Sequence, residues 1–505
     1  MHKTLVPFLI FACTVARADV KPSALFSDNA VLQAGMEVPV WGTAKDGEKV
    51  TVEFQGQKVS AIAKDGKWMV RLKELKAGGP FEMTISGDNT VTAKNVLVGE
   101  VWLCSGQSNM ARTVVPPDSV QPREPFWEQS AAEANHAEIR QFRVGGGAAD
   151  EPLSEVTGSW EVCTPETVRG FTAAGYYFAL DLLKARKTPV GLINASVGAT
   201  GAASWISRDG LASEPELNKI LERQERMKKE FPASMEKFKA EEPKLLADYT
   251  AAVEKAQKEN LPVPRKPDSP RNPFTDAYRP TGYYNSKIAP LQPFAIRGVL
   301  WYQGESNSGQ AREYGILFPT LISGWRKAWD KSDMPFLFVQ LPQYQKTPPD
   351  IREVQLQVWL KTPHTAMVVT TDCGDAENIH PPDKRPVGAR LALAARALAY
   401  GEKIEYSGPL FDGIKVDGGQ AVLSFKHVGG GLVAKDGPLK GFEIAGPDKK
   451  TFLPAKAEIR GDTVVVSSEQ VPQPAVVRFG WANVPDVNFY NQAGLPASPF
   501  QTDSH

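Results

Sequence analysis

The sequence has no excess charge of either sign, because its 58 lysines and arginines equal its 58 aspartates and glutamates. A chain without net charge offers little electrostatic attraction to a polyanion, so nucleic acid is not an expected partner. Its length of 505 residues exceeds that of one ordinary domain and predicts two or three.

Cysteine is scarce, with four residues in the whole chain. Cys13 lies in the leader discussed next, which leaves Cys104, Cys163 and Cys373. Three thiols allow at most one internal disulfide, and the sequence does not say which pair would form it. Their wide spacing fits no zinc-binding template, so neither a metal site nor another cofactor is expected.

Long apolar runs are also missing, apart from residues 5–15, which follow the basic Lys3. That run ends in the small-x-small triplet of residues 16–18, which predicts a signal peptide over residues 1–18. A lipoprotein cysteine at Cys13 is a weaker reading, because the bulky Phe11 precedes it. The mature protein is therefore expected to be secreted or periplasmic, with no membrane span.

The pattern of apolar and polar residues in the remaining chain predicts three regions. Residues 19–94 show short alternating strands between Gly and Asp turns, which indicates a β-sandwich-like domain. Residues 95–404 alternate nearly continuous apolar strands with helical patterns, as in an α/β domain whose parallel sheet has helices on both faces. Residues 405–505 again show short strand-like runs among Gly turns, which indicates a second β-domain. The expected fold class is thus α/β with a β-domain on each side.

An insertion interrupts the α/β region at about residues 206–275. Between Glu214 and Glu259 it is rich in Lys, Glu and Ala with apolar residues at helical spacing, and we interpret it as a helical hairpin followed by a proline-rich stretch. Its charge pattern is typical of a solvated face, and we assign it no chemistry.

The first apolar strand of the α/β region, residues 96–103, runs into the segment C-S-G-Q-S-N-M. Ser108 in this segment would stand at a strand-to-helix turn at the carboxyl edge of the sheet, a placement that suits a nucleophile. A helix-capping serine is the plainer alternative. The segment is not a G-x-S-x-G elbow, because Met110 occupies the second glycine position.

Among the six histidines, His380 is the candidate general base, because it follows the last strand of the α/β region and so lies at the same edge as Ser108. A third group would orient its imidazole. Glu377 and Asp375 can both reach from the same loop, Asp372 is farther, and an unassisted pair of serine and histidine is the remaining alternative.

Two further strand ends offer donors for a developing oxyanion. Gly198 follows one strand and would present a backbone N–H, and Asn307 follows another and would present a side-chain amide. Three aromatic residues near these ends would either stack on a sugar ring or pack in the core: Trp205, Trp301 and Tyr302.

These segments in this order resemble the sialate O-acetylesterases among the SGNH hydrolases: G-Q-S-N-M at 106–110, the turn at Gly198, W-Y-Q-G-E-S-N at 301–307 and I-H-P at 379–381. The opening L-F-S-D-N-A-V-L-Q at 25–33 and the closing N-F-Y-N-Q-A-G-L-P-A-S-P-F at 488–500 resemble the same family. Apart from the insertion, the resemblance covers most of the mature chain.

The resemblance implies a flavodoxin-like central sheet, Ser108 as nucleophile, His380 as base and an oxyanion hole of the Ser108 and Gly198 backbone N–H groups with the Asn307 side chain. SGNH relatives often place Asp three residues before the histidine, where this chain has Glu377. The orienting acid therefore stays open, with Glu377 first, Asp375 second and neither third. Candidate substrate-binding residues complete the set: Gln107, Gln303, Glu305 and Arg112.

Three functions follow as alternatives. The first is hydrolysis of O-acetyl groups on sialic acids, whose carboxylate would meet Arg112. The second is deacetylation of a plant polysaccharide such as acetyl xylan. The third is a non-catalytic carbohydrate-binding surface protein. The sequence does not fix the acetyl position, the parent glycan or the oligomeric state.

Overall fold

The structure, a computed structural model, describes residues 19–504. The predicted signal peptide lies outside the described residues. Within them, no helix combines the length and the apolar character that crossing a membrane requires.

The amino-terminal region is built entirely from strands. Strands β1, β3 and β6 form a three-stranded sheet, and the others join a second sheet through β8. In β4 and β6, buried and exposed residues alternate, as expected of strands with one face on a core. The bounds are β1 (Lys21–Pro22), β2 (Val31–Gln33), β3 (Val38–Thr43), β4 (Lys49–Phe54), β5 (Gln57–Ile62), β6 (Lys67–Leu72), β7 (Gly78–Ser86) and β8 (Thr90–Gly106).

Strand β8 connects this region to the centre of the molecule. Its first half pairs with β7 and β2, and its second half enters the central sheet. The predicted domain boundary between residues 94 and 95 thus lies inside a continuous 17-residue strand.

The central region alternates helices and strands. Its elements are α1 (Ser108–Ala111), α2 (Pro125–Ala132), β9 (His136–Arg143), β10 (Trp160–Cys163), α3 (Ala173–Arg186), β11 (Val190–Ser196), α4 (Arg208–Ser213), α5 (Pro215–Lys258), β12 (Gly298–Tyr302), α6 (Ala311–Ala328), β13 (Phe336–Val339), α7 (Pro349–Lys361), β14 (Thr365–Val368) and α8 (Arg385–Leu398). The strand order is β10-β9-β11-β8-β12-β13-β14, parallel except at the edge strand β10. The protein is therefore a mixed α/β structure with a mixed central sheet and additional β-sheet regions.

Helices cover both faces of this sheet. Phe178 of α3 packs edge-on against Trp102 of β8, and Phe318 of α6 stacks on Trp301 of β12. Trp301 lies in register with Ser105, three residues after Trp102, so the two tryptophans point to opposite faces.

The inserted segment differs from the expectation. It forms one continuous 44-residue helix, α5, so the predicted helical hairpin is wrong. The segment contains no glycine to make a turn, and the helix accommodates both Pro232 and Pro243. The apolar residues at its amino-terminal end, Leu217, Ile220 and Leu221, are buried.

The carboxyl-terminal region again consists of strands, in sheets ordered β15-β16-β21-β20, β17-β23 and β19-β18-β22-β24. It contacts the central sheet through buried polar groups, including a 2.8 Å hydrogen bond from Gln340 Nε2 to Ser498 Oγ. The bounds are β15 (Leu410–Asp417), β16 (Gln420–Lys426), β17 (Leu432–Ala434), β18 (Phe442–Ala445), β19 (Leu453–Pro454), β20 (Lys456–Arg460), β21 (Thr463–Ser467), β22 (Val476–Phe479), β23 (Phe489–Asn491) and β24 (Phe500–Gln501).

Candidate active site

The carboxyl ends of four parallel strands carry the predicted site residues. Ser108 follows β8, Gly198 follows β11, Asn307 follows β12 and His380 follows β14. Because parallel strands end at one edge of a sheet, the fold brings these distant segments together. Gly106 makes the turn at the end of β8: its φ is +130°, and a Cβ there would lie 2.2 Å from the Tyr302 carbonyl oxygen.

Ser108 and His380 are in direct contact although 272 residues separate them, with 2.8 Å between Ser108 Oγ and His380 Nε2. Both residues are half-buried. Ser108 is the first residue of α1, where its backbone N–H has no partner within the helix. This is the geometry expected of a nucleophile beside a general base.

Arg112 lies on the other side of the imidazole, with its Nη2 3.1 Å from His380 Nδ1. A guanidinium can only donate, so Nδ1 accepts, and the neutral ring carries its proton on Nε2, facing Ser108. Burial, followed by the positive charges of Arg112 and Lys384, lowers the pKa of His380 to about 4. The imidazole is therefore neutral at physiological pH.

None of the nearby carboxylates hydrogen bonds to His380 in the described structure. Glu377 accepts a hydrogen bond from the Gln345 side chain. Asp375 accepts the backbone N–H groups of Glu377 and Asn378, at 2.8 and 3.0 Å. Asp372 forms a bidentate ion pair with Arg390. Among the three alternatives for orienting the ring, this arrangement corresponds to the pair without an acid, and the roles of Glu377 and Asp375 stay predictions.

Of the predicted oxyanion donors, Gly198 lies beside the serine, and the orientation of the Asn307 amide is fixed by its neighbours. A Cβ built on Gly198 would lie 3.6 Å from Ser108 Cβ. Asn307 Oδ1 accepts from the Ala202 N–H at 3.0 Å and from Gln303 Nε2 at 2.8 Å, which fixes the orientation of the amide and leaves Nδ2 as its outward donor. In the described structure the backbone N–H groups of residues 108 and 198 donate to no protein acceptor. That the three groups together receive a negative oxygen stays a prediction.

Three of the predicted substrate-binding residues form hydrogen bonds with other groups of the protein. Gln303 is fully buried and donates to Gln107 Oε1, which also accepts the Ser306 backbone N–H at 3.2 Å. Glu305 Oε1 accepts from Asn109 at 2.5 Å. These groups hold the loops around Ser108, and their contact with substrate stays a prediction. The fourth residue, Arg112, lines a small, partly enclosed cleft together with His380 and Trp127.

The aromatic residues proposed as alternatives for sugar stacking belong to the core. Trp205 and Trp301 have no exposed surface and Tyr302 has 1%. Trp205 stacks on Tyr283 and meets Trp301 edge-on. Core packing is therefore the correct reading for all three.

The structure also shows the state of the cysteines and the arrangement of potential metal ligands. Cys104, Cys163 and Cys373 are all free thiols. Among residues 19–504, no group of three or more His, Cys, Asp or Glu side chains is arranged to hold a metal ion.

Sequence reasoning missed two residues beside the candidate pair of Ser108 and His380. Asn109 directly follows Ser108, and its position in the G-Q-S-N-M segment was a usable signal. Lys384 is 2% exposed and lies four residues after His380, at the start of α8. A lysine in a polar loop usually lies on the surface, so nothing in the sequence indicated its burial.

Comparisons with known proteins identify the family of the chain. A family model described as "Carbohydrate esterase, sialic acid-specific acetylesterase" matches residues 98–238 and 278–397, leaving out most of the second half of α5 and the proline-rich stretch after it. The sialate O-acetylesterase of Rattus norvegicus is 32% identical over 415 residues, which cover 74% of this chain and 72% of the rat protein. That of Homo sapiens is 27% identical, with coverage of 98% and 95%.

A solved structure is similar over nearly the whole chain. The crystal structure of a carbohydrate acetylesterase from Xanthomonas citri superimposes with a TM-score of 0.79 at 34% sequence identity. The match covers 96% of this chain and all of the Xanthomonas citri chain.

Proposed function

The chain belongs to the sialic acid-specific acetylesterase family and is a carbohydrate esterase that removes O-acetyl groups; from this premise we propose that Ser108 and His380 carry out the hydrolysis. The observation that supports the proposal is the 2.8 Å contact between Ser108 Oγ and His380 Nε2. A carbohydrate-binding protein without catalytic activity has no need for this contact.

The proposed reaction is acyl transfer in two steps. His380 Nε2 accepts the Ser108 proton while Oγ attacks the acetyl carbonyl, and the resulting oxyanion lies against the N–H groups of Ser108, Gly198 and Asn307. The C–O bond to the sugar then breaks, and His380 protonates the departing alcohol. Water attacks the acetyl-enzyme with the same base, which releases acetate and restores Ser108.

The contact between Arg112 and His380 Nδ1 links this chemistry to the choice of substrate. Proton transfer from Ser108 requires the lone pair of Nε2, so the ring proton must move to Nδ1 and the guanidinium must leave it. A substrate carboxylate in the same cleft would attract Arg112, because planar guanidinium groups pair with carboxylates through two hydrogen bonds. We therefore favour an acetylated sialic acid over a neutral polysaccharide as substrate.

The sheet order supports a flavodoxin-like, SGNH-type assignment as part of the proposal. Without β9 and the antiparallel β10, the remaining strands run β11-β8-β12-β13-β14. In chain order this is 2-1-3-4-5, the order of doubly wound flavodoxin-like sheets. Export to the periplasm or medium is also a proposal, since it depends on residues 1–18.

Replacing Ser108 tests the nucleophile. Ser108→Ala should lower kcat for an aryl acetate by roughly 10⁴-fold or more, because removal of the nucleophile disables the whole catalytic unit. Ser105→Ala is the matched control, since Ser105 Oγ is buried and donates only to the Ala195 carbonyl at 2.8 Å. Undiminished turnover by Ser108→Ala would rule out the serine mechanism.

Parallel assays on acetylated sialic acid and acetylated xylan test the substrate. We expect a higher kcat/KM for the sialic acid. A preference for xylan with an intact Ser108 requirement would retain the mechanism and reject the acidic substrate.

A further inference from the structure

A cluster of three polar side chains joins the segments that carry Ser108 and His380. It consists of Asn109, Glu305 and Lys384, which come from α1, from the loop after β12 and from the start of α8. Asn109 has no exposed surface and Lys384 has 2%. Glu305 Oε2 is buried and has no hydrogen-bond partner in the described structure.

The cluster contacts the backbone on both sides of His380. Asn109 Nδ2 donates to the carbonyl of Ile379 at 3.0 Å, and Lys384 Nζ donates to the carbonyl of Pro381 at 2.6 Å. These carbonyls belong to the residues immediately before and after the histidine. Its peptide segment is therefore fixed at two points, one of them by Asn109, the residue that follows Ser108.

The members of the cluster also orient one another. The Asn109 amide joins the cation to the carboxylate, since its Oδ1 accepts from Lys384 Nζ at 2.9 Å and its Nδ2 donates to Glu305 Oε1 at 2.5 Å. With both ends of the amide occupied, its orientation is determined. Burial lowers the pKa of Lys384 to about 7 and raises that of Glu305. Retaining two such groups in the interior costs stability unless their mutual attraction and hydrogen bonds offset the loss of hydration.

We propose that Asn109, Glu305 and Lys384 are positioning residues that hold His380 against Ser108 through its backbone. In a catalytic triad this task belongs to a carboxylate on Nδ1, and none occupies that position here. The proposal rests on the proposed function, because it assigns the cluster to the same catalytic pair. Asn109 is the link, since it is the neighbour of the nucleophile and contacts the loop of the base.

Two variants remove different parts of the cluster. Lys384→Met removes the donor to Pro381, and Asn109→Asp keeps an acceptor for Lys384 while removing the donor to Ile379. Each should lower kcat by about 10²-fold with little change in KM, the scale of loss expected from a small misplacement of a catalytic group. Lys384→Arg retains a donor and should recover part of the loss.

The pH profile separates positioning from general destabilisation. The charged groups around the His380 ring are Arg112, Lys384, Asp375 and Glu124 in the cleft, with Glu305 beneath. Removing the Lys384 cation should move the acidic limb of kcat/KM to higher pH. Lys287→Met is the matched control, because Lys287 is also buried and donates to two carbonyls, those of Val144 and Gly145, away from His380. It should cost stability without moving the limb.

The possible results distinguish a positioning role from a merely structural one and from failure of the proposed function. The positioning role is supported if Lys384→Met and Asn109→Asp lose kcat, the limb moves in Lys384→Met, and Lys384→Arg recovers. It is overturned if their kcat and pH profiles match those of Lys287→Met while Ser108→Ala is inactive. Activity in Ser108→Ala would instead overturn the proposed function itself. If Lys384→Met does not fold, Lys384→Arg and Asn109→Asp still test the positioning role. An unchanged kcat in Asn109→Asp would contradict the proposal.

Discussion

At His380, burial and two neighbouring cations lower the pKa of the imidazole to about 4. The neutral base is therefore present at pH 5, and kcat/KM for an uncharged aryl acetate should fall only below about that value. Arg112→Gln removes one cation and should move this decline to higher pH, since the charged imidazole then forms more easily. A pH profile of kcat/KM from 3.5 to 8 measures the change.

The same variant bears on substrate choice at the scale of one side chain. A hydrogen bond to a charged group contributes about 1.5 to 3 kcal/mol, so Arg112→Gln should lower kcat/KM for acetylated sialic acid about 10- to 100-fold relative to acetylated xylan. Arg123→Gln is the control, because Arg123 pairs with Glu128 instead of His380. An unchanged pH limb and an unchanged substrate ratio would exclude both roles of Arg112.

Helix α7 carries a buried carboxylate that links stability to pH. Glu353 is 7% exposed, its Oε2 has no hydrogen-bond partner in the described structure, and burial raises its pKa to about 7. The folded protein thus binds more protons here than the unfolded chain, so stability is greatest below the unfolded pKa and declines as pH rises to about 7. Glu353→Gln should remove this decline.

Between pH 4.5 and pH 8 the natural protein should therefore lose stability that the variant keeps. The difference in free energy of unfolding between Glu353→Gln and the natural protein should shift in favour of the variant by about 1 to 3 kcal/mol. Chemical denaturation at both pH values measures this difference. Asp350→Asn on the exposed side of α7 should show no such change. Parallel pH dependence in the natural protein and Glu353→Gln would contradict the assignment.

At the scale of helices and strands, the sequence predicted the elements that consist mainly of apolar residues. Strands β11 and β12 and the second half of β8 consist of nearly continuous buried residues, so their ends, and with them Ser108, Gly198 and Asn307, could be located. Strand β9 and helix α7 were missed because they bury polar residues, among them Arg140, Arg352 and Gln355. The group that contacts His380 Nδ1 could not be predicted either, because the contact depends on the direction of the Arg112 side chain, which comes from a different segment of the chain.

Across the whole molecule, β8 makes the amino-terminal sheet and the active site parts of one structure. Leu32 of β2 is completely buried, and β2 pairs with the first half of β8, while Ser108 follows its other end. In the carboxyl-terminal region, Leu423 of β16 is equally buried, but its sheet shares no strand with the central one. Substitutions of these two equally buried leucines can therefore be compared to test which region supports the site around Ser108.

Leu32→Ala and Leu423→Ala should each cost about 2 to 5 kcal/mol in the region that loses its side chain. Since β8 transmits loss of the amino-terminal core directly to the nucleophile, Leu32→Ala should lower the denaturant concentration at which esterase activity disappears. Leu423→Ala should lower the midpoint of the structural transition more than the midpoint of activity loss, because its sheet shares no strand with the central sheet and its region meets the centre through local hydrogen bonds such as that of Gln340 with Ser498. Equal shifts of the activity midpoint in both variants would mean that the carboxyl-terminal sheets are as tightly coupled to Ser108 as β8 is.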